Sequence, residues 1–105
     1  MGKNKSNSDR CKRVWQKTGG ICAHCGRPAS SKSRTVDHYI PRACGGGYDF
    51  RNLMPLCRSC NMHRENFDID PVEYYRYATA DVISQCLEYE KEFESTRQSM
   101  GGTKY

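Results

Sequence analysis

The chain has 105 residues, a hydrophobic share of 36%, seven cysteines and a formal net charge of +5. A length of this order allows one domain with a thin apolar core, the size class that needs a staple to fold. No stretch approaches the ~20 apolar residues of a membrane span, and the N-terminus has no apolar run after its charges, which argues against a secretory signal. An odd number of cysteines without an export signal points to a reducing, cytoplasmic setting in which thiolates bind metal rather than each other.

Charge is unevenly spread. Residues 1–64 carry 13 Lys+Arg against 3 Asp+Glu, a net +10, whereas residues 65–105 carry 4 against 9, a net −5. A basic front of this kind suits a polyanion, most simply nucleic acid.

In chain order, residues 1–7 are polar and basic and read as a disordered arm. Ser8 or Asp9 can cap a short helix running to about Lys17, with Val14 as its core residue, Cys11 a turn before it and Trp15 as an anchor. Gly19-Gly20 stops that helix. Cys22-Ala23-His24-Cys25-Gly26 then has the form of a zinc knuckle, and Cys57-Arg58-Ser59-Cys60 repeats the spacing after 31 intervening residues. One such pair is ambiguous between zinc and redox chemistry; two of them make a four-thiolate structural zinc site. His24 is a rival ligand, but its position inside the knuckle reads better as an exposed turn residue. The basic loop 27–34 suits either solvent or a nucleic-acid backbone.

Thr35 to Ile40 is rich in β-branched and aromatic residues and reads as a strand, with Pro41 at its edge. A glycine-rich loop follows through Asp49. Phe50 to Leu53 reads as a short turn or helical element returning the chain to the zinc site, and a helix is expected from Asn61 to about Asn66. Asp70-Pro71 is a helix start, followed by Val72, Tyr75 and Tyr77. A last helix over about 81–95 places Val82, Cys86, Tyr89 and Phe93 on one stripe with Ile83 and Leu87 beside it. Glu88, Glu90, Glu92 and Glu94 give it an acidic face that should point away from a polyanion. These elements divide the chain into a basic arm (1–7), a zinc-bound domain (8–67), a helical extension (68–95) and a flexible tail (96–105).

The order CxxC, Asp37-His38, Pro41, glycines, Asp49-x-x-Asn52-Leu53, Leu56-Cys57-x-x-Cys60-Asn61 resembles the HNH endonuclease family over roughly residues 21–66. The resemblance implies a small zinc-stapled α+β fold: a ββα-metal, treble-clef-like core with a short N-terminal helix and two C-terminal helices. It implies Cys22, Cys25, Cys57 and Cys60 as structural zinc ligands, His38 as general base, and Asn52 as the residue bracing the loop beside that base. Asp37 would be a ligand of a catalytic divalent metal, with Asn61 at the last ligand position, where the family commonly has His. A carboxylate with an amide is a hard oxygen set that suits magnesium or manganese; His63 is the alternative last ligand. Arg42, Arg51, Arg58 and Arg64 surround the site, and two or more of them are expected to bind DNA phosphates. Cys11, Cys44 and Cys86 have no partners by spacing and read as ordinary thiols.

The resulting expectation is a DNA endonuclease, with a homodimer as one way to cut both strands. The competing readings are a non-catalytic, zinc-dependent nucleic-acid-binding module, and a protein-interaction module that uses the acidic C-terminal helices.

Overall fold

A computed structural model describes residues 2–65 and 69–99, with side chains over 9–64 and 69–96. Helix α1 spans Gly2–Gln16. It starts before the Ser8 or Asp9 expected from capping, because no proline or β-branched residue between Lys3 and Arg10 interrupts it. Gly19 and Gly20 take φ of 67° and 91°, and their amides fold back onto the carbonyls of Gln16 and Trp15. That left-handed pair ends the helix.

Val14 and Trp15 are fully buried, and the Trp15 indole Nε1 donates to the Thr35 carbonyl at 2.9 Å. Just past the helix, the Lys17 ammonium donates to the carbonyls of Phe50 and Leu53, both at 2.6 Å. The end of α1 is therefore tied to both strands of the sheet that follows.

Strand β1 (Arg34–His38) pairs antiparallel with β2 (Leu53–Cys57), with Asp37 opposite Met54 and His38 opposite Leu53. β1 is shorter than the predicted Thr35–Ile40: its ladder ends on the Asp-His pair itself, and the chain bends at Tyr39 and Ile40. Two 3₁₀ turns, Arg42–Cys44 and Phe50–Asn52, lie in the connection. The second begins at Asp49, whose carboxylate accepts from the Arg51 amide at 2.9 Å.

Helix α2 (Arg58–Glu65) starts inside the second cysteine pair, not at Asn61. The chain passes directly from β2 into helix while the Arg58 amide is anchored on the Ser33 carbonyl. The expected helix end at Asn66, the boundary at residue 67 and residues 100–105 of the expected flexible tail (96–105) lie outside the described residues, whereas residues 96–99 continue the last helix.

α3 is a single turn, Pro71–Tyr74, with the Asp70 side chain accepting from the Val72 amide. α4 runs over Ala80–Ser99. Val82 and Cys86 are buried, and Ile83, Tyr89 and Phe93 pack against the core, whereas Leu87 is exposed. The acidic residues do not form one solvated face: Glu88 and Glu92, a turn apart, converge on Arg51, and Glu90 accepts from the Tyr39 hydroxyl.

The molecule is thus a small α+β protein: a ββα unit of β1, β2 and α2, covered by α1 and by the two C-terminal helices. Among the described residues, no helix is long and apolar enough to cross a membrane.

Candidate metal centre and active site

Both cysteine pairs converge. The Sγ atoms of Cys22, Cys25, Cys57 and Cys60 lie within 4.8 Å of one another. Tetrahedral Zn–S bonds of about 2.3 Å need sulfurs only slightly closer than that, so the four thiols can hold a zinc ion. The knuckle is shaped by local sequence. Gly26 sits at φ 74° with its amide on the Cys22 carbonyl, and the Tyr77 ring fills the space a side chain there would need. Cys22 Sγ accepts the amides of His24 and Cys57, both at 3.4 Å. Burial and the neighbouring Cys57 and Cys22 push the Cys60 thiol well up; a bound cation would oppose that shift by favouring the thiolates.

His24 is not the exposed turn residue that its sequence position suggests. Its ring stacks on Tyr74 at 3.8 Å, and its Nδ1 lies 2.8 Å from the Tyr74 carbonyl. The aromatic partner comes from α3, far along the chain, so local sequence carried no sign of it.

At the other end of the ββα unit, the Asp37 and His38 side chains have separate surroundings, as neighbours on a strand should. Asp37 meets Arg64 of α2 and Tyr75 at the end of α3. It is 6% exposed, and its Oδ2 accepts from Arg64 Nη1 and from the Tyr75 hydroxyl, each at 2.6 Å. Burial lifts its carboxyl above the usual range, with Arg64 and Tyr75 pulling the other way. Arg64 also donates to the carbonyls of His38 and Tyr39. On the same helix, Asn61 Nδ2 donates to Thr35 Oγ1 at 2.9 Å, a bond that does not use its carbonyl oxygen.

His38 turns toward the glycine loop and α1. Its ring meets Tyr48 edge-on at 5.2 Å, and among the described residues its buried Nε2 has no hydrogen-bond partner. Burial holds its pKa below the usual histidine value; Asp37 opposes this, and Arg42, Arg10 and Arg64 add to it.

Asn52 is fully buried and organises the loop beside His38. Its Oδ1 accepts the Ile40 amide at 2.7 Å, and its Nδ2 donates to the Gly47 carbonyl at 3.0 Å and to Ile40 O at 3.2 Å. A Cβ at Gly46 would overlap the Ile40 carbonyl oxygen, so this glycine serves close packing.

The four arginines named from the sequence differ in their surroundings. Arg51 is bound by Asp49, Glu88 and Glu92, and Arg64 by Asp37. Arg42 lies over the Tyr48 ring, and Arg58 is exposed beside Cys57, Ser59 and the exposed His63. Sequence reasoning missed Arg10, which lies over the same Tyr48 ring as Arg42, and missed Tyr75 on Asp37. Tyr75 read as an apolar helix position, and nothing in its local sequence marks a hydroxyl aimed at a carboxylate.

Residues 22–67 match the HNH endonuclease family profile. Over 46 residues, 43% of this chain, the sequence is 39% identical to the CRISPR-associated endonuclease Cas9 of Corynebacterium diphtheriae, of which the matched stretch is 4%. The matched stretch runs from the first zinc-knuckle cysteine through α2, the part of the chain that holds both the sulfur cluster and the Asp37-His38 pair. Residues 22–67 are thus an HNH endonuclease domain.

Proposed function

We propose that the protein is a divalent-metal-dependent endonuclease that hydrolyses DNA phosphodiester bonds, with His38 as general base. The observation that carries this reading is the His38 Nε2 atom: a buried imidazole nitrogen that has no hydrogen-bond partner among the described residues, held toward its neutral form, one residue from a buried carboxylate. A neutral imidazole takes a proton from water near neutral pH. Asn52 fixes the loop at Ile40 and Gly47 and so holds the wall against which the ring acts.

The donor set fits a hard cation. Asp37 is a buried carboxylate whose two partners at 2.6 Å are the Arg64 guanidinium and the Tyr75 hydroxyl, and Asn61 hydrogen-bonds Thr35, two residues from Asp37 and on the same face of β1. Asp37 and Asn61 would hold magnesium or manganese, which neutralises charge on the phosphate and the departing oxygen. Zinc at the four cysteines has a structural role, since four protein ligands leave no open position.

The test is plasmid nicking with magnesium or manganese, by wild type and by His38→Ala. Nicking lost only in the variant supports the reading. Equal nicking by both removes His38 as base, and none by either removes the enzyme.

One observation favours the second reading, a zinc-dependent DNA-binding module without catalysis. The Asp37 charge is already met by Arg64, an arrangement a protein can keep with no second metal. That reading predicts salt-sensitive DNA binding and no cleavage in any metal.

A further inference from the structure

The basic residues around His38 divide by what holds them. Arg51 and Arg64 are held by carboxylates. Arg10 of α1 and Arg42 of the first 3₁₀ turn are held by an aromatic ring, with guanidinium carbons 4.7 and 5.5 Å from the Tyr48 centroid. Among the described residues, neither has a carboxylate within ion-pair distance.

The difference matters chemically. A carboxylate fixes a guanidinium by consuming its charge and its N–H donors. An aromatic face fixes it while leaving both for an anion. Tyr48 is 50% exposed, and its ring touches His38 edge-on. Beside it, a cleft of about 370 Å³ is lined by Asp9, Arg10, Arg13, Tyr48, Phe50 and Leu53. Asp9 is the single acid among these six residues.

We propose that Arg10, Tyr48 and Arg42 form a phosphate clamp, which seats backbone phosphodiesters of a DNA strand beside His38 with α1 as one wall of the strand's path. The clamp rests on the endonuclease reading and extends it, because Arg10 lies before the matched residues 22–67. The ligand chemistry is that of the DNA backbone: anions recognised by charge and N–H donors, without base readout.

The experiment measures binding of a fluorescent DNA oligonucleotide to the zinc-loaded full chain, without added magnesium or manganese, across a salt series. It compares wild type, Arg10→Gln with Arg42→Gln, Tyr48→Leu, and a charge-matched control, Arg76→Gln with Lys91→Gln; both control residues are exposed. Zinc content and thermal midpoint check that each variant folds. The clamp predicts that the Arg10/Arg42 pair weakens binding by about tenfold or more and lowers the log–log salt slope by about 2. The control pair should change either by much less, and Tyr48→Leu should weaken binding severalfold while keeping most of the slope. Equal effects from the two charge pairs would overturn the clamp and leave the nuclease reading standing. Unchanged affinity in Tyr48→Leu would overturn the ring's part in it. No binding by wild type at low salt would overturn the clamp and the DNA reading together.

Discussion

The two ends of the ββα unit are held together by different physics. At the zinc end, four thiols approach within 4.8 Å around a gap that suits one ion. At the Asp37-His38 end, hydrogen bonds between side chains and carbonyls hold the structure: Asn52 on Ile40 and Gly47, Tyr75 and Arg64 on Asp37, Lys17 on two carbonyls. The first end is suited to an ion, whereas the second is built from hydrogen bonds. Folding and chemistry can therefore be disrupted separately.

The largest expected effect is on the zinc end. Structural zinc in small peptides contributes roughly 10–16 kcal/mol of apparent binding free energy. Chelation, or Cys57→Ser, should abolish the cooperative thermal transition, followed by circular dichroism with and without added zinc. Second comes His38→Ala, which should lower DNA cleavage about 10²- to 10⁴-fold while the thermal midpoint stays near wild type. That pairing separates the two ends: the cysteine variant loses fold and activity, the histidine variant activity alone.

Third, Asn52→Ala removes a buried group that makes three hydrogen bonds. Each stranded partner costs about 1–3 kcal/mol, so urea unfolding should show a loss of several kcal/mol, accompanied by slower cleavage. If stability falls but the rate holds, the loop that Asn52 organises does not support the base. Fourth, Tyr75→Phe deletes one hydroxyl from Asp37 and should cost about 1 kcal/mol or slightly more, read by the same unfolding curve.

The smallest effect is in pH. If His38 is the base, cleavage needs its neutral form, and its pKa in the folded chain lies below its ordinary value. The rate should therefore be full at neutral pH and fall on acidification with a midpoint below about 6.5. A midpoint above that value would mean that Asp37 outweighs burial.

Much of this architecture was legible in the residues, for reasons that differ by site. Repeated cysteine spacing forces convergence on one ion, so the sulfur cluster could be read without knowing the fold. Asp70-Pro71 announced α3 because its cap is local. The start of α2 was missed because no capping residue marks it: the helix grows out of β2 inside a metal-binding turn. The surroundings of Asp37 were missed for a longer-range reason. Tyr75 lies 38 residues away, and only tertiary folding brings its hydroxyl to that carboxylate. The acidic ridge of α4 was read only as a face turned away from a polyanion, and its hold on Arg51 was missed because that residue sits 37 and 41 residues upstream of Glu88 and Glu92.

The take-off point of α2 has a mechanical consequence. Cys60 lies in its first turn, and Arg64 stands four positions later, one helical turn above the sulfur on the same side of the cylinder. Fixing that sulfur fixes the helix's rotation about its own axis, and hence the direction in which the guanidinium reaches. An ion bound at one pole would thereby set the aim of a charge at the other.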